Sequence, residues 1–563
     1  MSSSEASEDD DDGLALLVGA FARRAKPSRP PPLEEEEAVA VAKPNSLHEV
    51  TAEPSKGLGA QLSGSINPLD DLWWPDSLPW DSTSSSSADS TLPPSPPAAH
   101  AAHLEIMRFR HLAALRAKFH ELCAAAGLPS PPINALERWR FSCKWQDEGA
   151  AASDPLLPTG EEQPADGALA SDLRRAGLTP AAADELVASV RAASLAAAAD
   201  IANQHAELQA GTAPPAALPA LTAERLPGDV LRLRLARDES ASAAGAAGTA
   251  GAAVDTTDVS VRVTQAAVDK LRALHRRHCP DEAAPTTTAD SAALGTSAAP
   301  SVGAAEGAWS AFDARLFALL LRYEAIGGAG FQAALGGNVL RALQHALETN
   351  FECFASPLNC YYGHYCSAFP DVDRPFGSRG SFTRFAPARG SYEANPPFVD
   401  ALIDDMATRL LALLDTAQAA DEPLCFAVVL PGWADNPGYR ALLAAPLLRR
   451  TLLVAAADHG YIDGAQHARP RAYRLSTYDT RVFVLQSDAH LRAHPLDDAA
   501  MATLETSLAA CTPSSEPKAQ GGEQDERGGH SGKDGATGRD APACLQDYRS
   551  LEAHRRKKRR KGK

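Results

Sequence analysis

Gly390-Ser391-Tyr392-Glu393-Ala394-Asn395-Pro396-Pro397-Phe398-Val399 is the stretch on which the fold turns. A short strand-like run ends at two prolines, and Val399 to Leu414 then carries apolar residues at helical spacing. The apolar run Leu424 to Leu430, β-branched at its centre, comes next and fits a buried strand. Strand, loop, helix and buried strand make the repeating unit of an α/β sheet, whose ligands sit in loops at strand ends. Further out, Leu452 to Ala456 and Val482 to Leu485 read as more buried strands, and Phe312 to Leu320 and Asn338 to Leu347 as helices. The expected core is a Rossmann-like α/β domain over residues 309–495.

The rest of the chain is organised around that core. Of 563 residues, 44% are apolar, but many are alanines in low-complexity runs; aromatics make up 6% and concentrate between Trp309 and Phe483. Residues 1–100 are acidic, then Pro- and Ser-rich, and read as disordered. Within them Trp73, Trp74 and Trp80 lie too close together for a WW domain, which needs two tryptophans about twenty residues apart on three strands. Residues 101–280 read as a mainly helical module. Leu112, Leu115, Phe119 and Leu122 share a helix face, and Thr179-Pro180 divides two helices between Asp172 and Leu208. Leu231, Leu233 and Leu235, then Val259, Val261 and Val263, alternate with polar residues as two strands. Residues 281–308 read as a low-complexity linker, and residues 496–563 as a disordered tail.

The net charge of −17 hides a local asymmetry. Acidic runs open the chain, while Arg555 to Lys561 closes it with unbroken positive charge, either a nuclear import signal or a phosphate-binding tail. Nine cysteines without a CxxC pair, and no basic-then-apolar leader, argue for reduced thiols inside the cell. No apolar run reaches the ~20 residues of a membrane span, so no membrane partner is expected. A nuclear location is expected from the basic end, and the oligomeric state is not legible.

The chemistry is carried by Asn395 to Phe398. An adenine or amide nitrogen delocalises its lone pair into a π system, so attack on a methyl group requires pulling that pair out of the plane. Asn395 offers an uncharged side-chain carbonyl, and the Pro396 backbone carbonyl offers a second acceptor for the other N–H. The prolines stiffen the loop, and Phe398 gives a planar ring a face to stack on. The bland alternative is a turn that merely closes a strand. No clustered metal ligands are evident, and Cys353, Cys360 and Cys366 read as buried thiols. Gly377-Ser378-Arg379-Gly380 offers either a backbone cradle for an anion or a plain glycine-rich turn.

Phe351-Glu352-Cys353-Phe354-Ala355-Ser356-Pro357-Leu358-Asn359, Tyr365 to Asp371, Phe376 to Gly380 and Gly390 to Phe398 together resemble the phosphorylated-CTD-interacting factor family, the cap-specific adenosine-N(6)-methyltransferases. The resemblance is close from Trp309 to Phe483 and covers about half the chain. It implies an S-adenosylmethionine-dependent core that methylates the N(6) amine of the first transcribed (2'-O-methyl)adenosine beside a 7-methylguanosine cap. By this resemblance Asn395, Pro396, Pro397, Phe398 and Val399 bind S-adenosylmethionine, with Asn395, Pro396 and Phe398 catalytic. Asp400 lies against the substrate, and Trp433, Ala434, Asp435, Asn436 and Pro437 line the cap pocket. Ala434 stands where the family has arginine, and Gly432 where it has glutamate. Trp433 suits a cationic base through its indole face, though a core tryptophan is the alternative. Arg140 is sent toward the cap phosphates, or is an arginine beside a core Trp139. Capped RNA and the phosphorylated RNA polymerase II C-terminal domain are the implied partners, the latter without an evident WW domain in this chain. Rival readings are methylation of another planar amine, such as an internal adenine or a protein glutamine, and a non-catalytic adaptor.

Overall fold

The computed structural model describes residues 95–132, 135–146, 154–159, 164–211, 218–236, 259–283, 309–326, 333–468 and 473–511. The acidic and Pro/Ser-rich start, the tryptophan cluster near residue 74, most of the linker and the basic end lie outside these residues. No described helix is long and apolar enough to cross a membrane.

Four helices begin the described chain: α1 (Ala98–Ala125), α2 (Ala135–Gln146), α3 (Pro164–Arg175) and α4 (Pro180–Ala210). The Thr179 hydroxyl accepts the Ala182 amide and caps α4, with Pro180 in the first turn, where an N–H would have no helical partner anyway. Leu112, Leu115 and Phe119 of α1, Trp139 of α2, Leu173 of α3 and Leu186 and Val190 of α4 share one core. An antiparallel meander comes next, β1 (Leu221–Leu226), β2 (Val230–Leu235) and β3 (Ser260–Thr264). Leu231, Leu233 and Leu235 meet Val261 and Val263 in a second core under α5 (Gln265–His278) and α6 (Ala311–Ile326).

After α7 (Gly337–Leu347) comes the α/β layer: β4 (Gly390–Ala394), α8 (Asp400–Ala419), β5 (Leu424–Pro431), α9 (Pro437–Leu443), β6 (Leu448–Val454), β7 (Gly460–Ile462), β8 (Tyr473–Leu475) and β9 (Thr480–Gln486). The chain continues through α10 (Asp488–Ala493) and α11 (Asp498–Ala509). The main sheet runs β4-β5-β9-β6, with β4 parallel to β5 and β9 antiparallel to both its neighbours. Every residue of β5 is buried, as its unbroken apolar run requires. Phe426, Val428 and Leu430 face Ile403, Met406 and Leu410 of α8. Cys425, Ala427 and Val429 face Val339 and Leu343 of α7 and Leu504 and Leu508 of α11. Helices therefore cover both faces. Parallel bridges Glu352↔Glu393, Glu352↔Tyr365 and Tyr365↔Ser378 extend the sheet beyond β4.

Two expectations change. Order continues past residue 495, because α11 buries Leu504 and Leu508 on the sheet. The helix expected to open the catalytic domain instead packs along α1 and contributes Leu316, Phe317 and Leu320 to the core under the meander. At that seam the Arg322 guanidinium is fully buried; it donates to Glu105 of α1 at 2.6 and 2.9 Å and to Asp371, before the sheet's outer edge, at 2.7 and 3.1 Å. Substituting Arg322→Met leaves the buried Glu105 carboxylate without that partner. Urea unfolding of the variant is expected to show a loss of about 3–5 kcal/mol.

Candidate active site

β4 delivers its carboxyl end, Ala394, directly into the Asn395 loop, and Val399 then caps α8. Two prolines prevent the strand from continuing, and the Val399 amide closes the turn on the Pro397 carbonyl at 2.8 Å. Among the described residues, neither the Asn395 side chain nor the Pro396 carbonyl has a hydrogen-bond partner. Both acceptors are thus open at one strand end. The Phe398 ring lies 5.9 Å from Tyr461 and 6.3 Å from Trp433, and Trp433 lies 5.4 Å from Tyr478. These edge-on contacts gather four aromatic rings beside the loop.

A small recess opens next to Asn395, lined by Ala334, Leu335, Glu352, Phe354, Asn359 and Glu393 among others. Parallel pairing sets Glu352 and Glu393 side by side on one face of the sheet, and each is at most 5% exposed. Glu352 accepts the Tyr361 and Tyr362 amides at 2.8 and 3.0 Å. Burial pushes its carboxyl up to about 7 against the pull of those amides and of Lys270. Burial, and then the facing Glu352, push Glu393 well above the ordinary carboxyl range. No described residue donates to the Glu393 side chain. The sequence alone assigns neither glutamate a role; the signal is an acid inside each of two strand-like runs, Phe351 to Phe354 and Tyr392 to Ala394.

The other expected site residues divide. Trp433 is half-buried, and Ala434, Asp435 and Pro437 are exposed on the turn after β5. Asn436 is buried and committed: its carbonyl caps α9 by accepting the Tyr439 amide at 2.8 Å, and its amide reaches the Asp400 carboxylate at 3.3 Å. That bond fixes the turn to the start of α8, so Asp400 and Asn436 are brought together. Arg140 sits in the helical module, where it donates to the Leu156 and Ala325 carbonyls at 3.3 and 3.2 Å. Burial lowers its guanidinium to about 10, and its Nη1 has no partner among the described residues.

The glycine-rich cradle is closed. The amides of Gly377, Ser378, Arg379 and Gly380 already donate to Arg374, Asp373, Tyr365 and Ser378. Cys353, Cys360 and Cys366 are buried, and burial pushes Cys360 up to about 12. Among the described residues one trio has metal-type ligand atoms close together, His275, Cys279 and Glu282, and Glu282 there is gripped by Arg315 at 2.7 Å.

Comparison with known proteins points the same way over a limited stretch. The family model described as Phosphorylated CTD interacting factor 1 WW domain matches residues 302–464. This corrects the expectation of no evident WW domain: a model bearing that description matches, and it falls on the helix-and-sheet region rather than on the early tryptophan cluster. A human protein named mRNA (2'-O-methyladenosine-N(6)-)-methyltransferase is 39% identical over 193 residues, 32% of this chain and 27% of its own length. A mouse protein of the same name is 34% identical over 237 residues, 40% of this chain and 30% of its own. The chain therefore spans less than a third of the length of either relative.

The turn carrying Trp433 depends on a close approach of α9 to α8. The Gly438 amide donates to Asp404 Oδ1 at 2.7 Å, and a Cβ there would sit 2.8 Å from the Ile403 carbonyl and 2.9 Å from Asp404 Cα. Backbone atoms cannot yield as a side chain can, so Gly438→Ala is expected to cost about 1–3 kcal/mol in urea unfolding.

Proposed function

We propose that the chain transfers a methyl group from S-adenosylmethionine to the N(6) amine of the first transcribed (2'-O-methyl)adenosine next to a 7-methylguanosine cap. The observation that carries this reading is the pair of open acceptors, Asn395 Oδ1 and the Pro396 carbonyl, at the end of β4 beside a recess with unpaired acid. The core is read as Rossmann-like because the sheet is mostly parallel, extended by the Glu352, Tyr365 and Ser378 bridges, and covered by helices on both faces.

The residues present fit the cofactor: the recess offers the Glu393 carboxyl, which no described group satisfies, next to the loop. When bound, the cofactor supplies an electrophilic methyl carbon. Asn395 and Pro396 accept the two amine N–H bonds and turn the nitrogen lone pair out of the adenine plane. Phe398 offers the face on which the adenine stacks, and the stiff Pro396-Pro397 pair holds both acceptors in place before substrate arrives. Val399 completes the loop, and Asp400 holds the turn through Asn436.

Trp433 is assigned to the 7-methylguanine, whose positive charge an indole attracts, with Ala434, Asp435 and Pro437 at the rim. Arg140 is assigned to the cap phosphates, since its free Nη1 lacks an anion. The matched family description supports docking to the phosphorylated polymerase tail, and the basic end Arg555 to Lys561 supports a nuclear location.

Methyl transfer from labelled S-adenosylmethionine to RNA beginning with 2'-O-methyladenosine, capped or uncapped, tests the reading. Label on the capped RNA alone is the expected result. Equal label on both removes cap recognition, and label on neither leaves the adaptor or a protein substrate. Asn395→Ala is expected to lower transfer by at least about 100-fold with the circular dichroism unchanged. Trp433→Ala is expected to raise KM for capped RNA about 5- to 30-fold with kcat changed little, and to leave uncapped RNA unlabelled.

A further inference from the structure

Phe398 has no polar side-chain atom, so the tilt of its ring is set by what packs against it. Tyr461, 7% exposed, meets it edge-on at 5.9 Å with 80° between the ring planes. Behind Tyr461 runs a chain of polar contacts that neither the loop nor the recess explains. The Tyr461 hydroxyl lies 2.8 Å from Thr480 Oγ1, Thr480 Oγ1 lies 2.8 Å from His459 Nε2, and His459 Nδ1 lies 2.8 Å from the Ala455 carbonyl. Thr480 and His459 are fully buried.

The direction of every hydrogen bond in this chain follows from its fixed end. The Ala455 carbonyl can only accept, so His459 Nδ1 carries the hydrogen. Burial holds the imidazole below its ordinary value against the pull of Asp479 and Asp458, and near pH 7 the ring is neutral with Nε2 as an acceptor. Thr480 donates its one hydrogen there, so Tyr461 must donate to Thr480. Burial keeps the Tyr461 phenol protonated. No member can turn away without stranding a buried donor or acceptor.

The sheet anchors the middle of the chain. Thr480 opens β9, opposite Pro431 of β5 and Val454 of β6. The residue before it, Asp479, accepts the Gly432 amide through its carbonyl at 2.6 Å and the Ala456 amide through Oδ1 at 2.9 Å. The sheet therefore fixes Thr480, Thr480 fixes the Tyr461 ring, and Tyr461 fixes the tilt of Phe398.

We infer that Tyr461, Thr480 and His459 are positioning residues for methyl transfer, holding the Phe398 ring at the tilt on which the target adenine stacks with its amine toward Asn395 and Pro396. This rests on the methyltransferase reading and extends it to three residues behind the loop. The chain acts on alignment: a tilted platform leaves the donor bound and carries the amine off the line of attack. Its loss therefore falls on kcat rather than on KM for the donor.

The test is kcat and KM, per folded enzyme, for transfer from labelled S-adenosylmethionine to capped RNA beginning with 2'-O-methyladenosine. Thr480→Val and His459→Ala each cut the chain and are expected to lower kcat about 10- to 100-fold, with the donor KM within about twofold of wild type. Thr480→Ser keeps the hydroxyl and is expected to retain kcat within about twofold, while Tyr461→Phe, which keeps the ring, lowers it about 3- to 10-fold. Adding Tyr461→Phe to Thr480→Val is expected to cost nothing further, since the bond it removes is already gone. A role confined to stability lowers the folded fraction and leaves kcat per folded enzyme unchanged; that result overturns the inference while the methyltransferase reading stands. So does a Thr480→Ser enzyme as slow as Thr480→Val, or a loss that falls on the donor KM alone. Should Thr480→Val and His459→Ala fail to fold, Tyr461→Phe decides, and wild-type kcat in that variant overturns the inference. Wild-type enzyme that labels neither capped nor uncapped RNA removes the reading and the inference together.

Discussion

The site hangs on one short length of parallel pairing. The Glu393 amide donates to the Phe351 carbonyl at 2.9 Å, and the Cys353 amide donates to the Glu393 carbonyl at 2.7 Å. Those bonds dock the segment around Glu352 onto β4 and place Phe354 and Asn359 beside Asn395. Cys366 then pairs with Glu352, and Arg379 with Tyr365, each through backbone bonds of 2.8 to 2.9 Å. Half of the sheet is therefore built outward from Glu393. The residue that joins the two halves also turns its acid into the recess, so architecture and site share a single position.

The helical module is locked to this arrangement by charge as well as by apolar contact. Arg322 reaches Glu105 on one side and Asp371 on the other, and Arg108 continues the chain of contacts from Glu105 to Asp154 at 2.9 Å. Buried ions of this kind contribute little net stability compared with an apolar isostere, but they penalise wrong docking heavily. Arg140 lies in the same module with one nitrogen unpaired among the described residues, which makes the module a candidate contributor to binding as well as a support.

Much of the order is legible where the pattern is local. Alternation locates β2 and β3, Thr179-Pro180 marks the start of α4, and the length and β-branched centre of the run from Leu424 fit a buried strand. The first strand of the meander, β1, escapes sequence reading because its middle residues are all exposed and carry no alternation. α5 escapes because it continues from β3 without a breaker, and α11 because its alanine-rich face resembles the low-complexity tail beyond it. The Asn395 loop is readable since four consecutive residues carry its chemistry. Glu352 and Glu393 are 41 positions apart and become a pair only through register, which no local pattern encodes.

The antiparallel placement of β9 between β5 and β6 has a consequence for biosynthesis. Forty-nine positions separate Pro431 from Thr480, so β5 and β6 leave the ribosome before the strand that joins them. At translation speeds of about 5–20 residues per second, that interval lasts several seconds. Throughout it the most apolar strand of the sheet has one unfilled edge, open to pairing with any neighbouring nascent chain. The sheet can close only after β9 has emerged, because that strand supplies the edge on which both β5 and β6 pair.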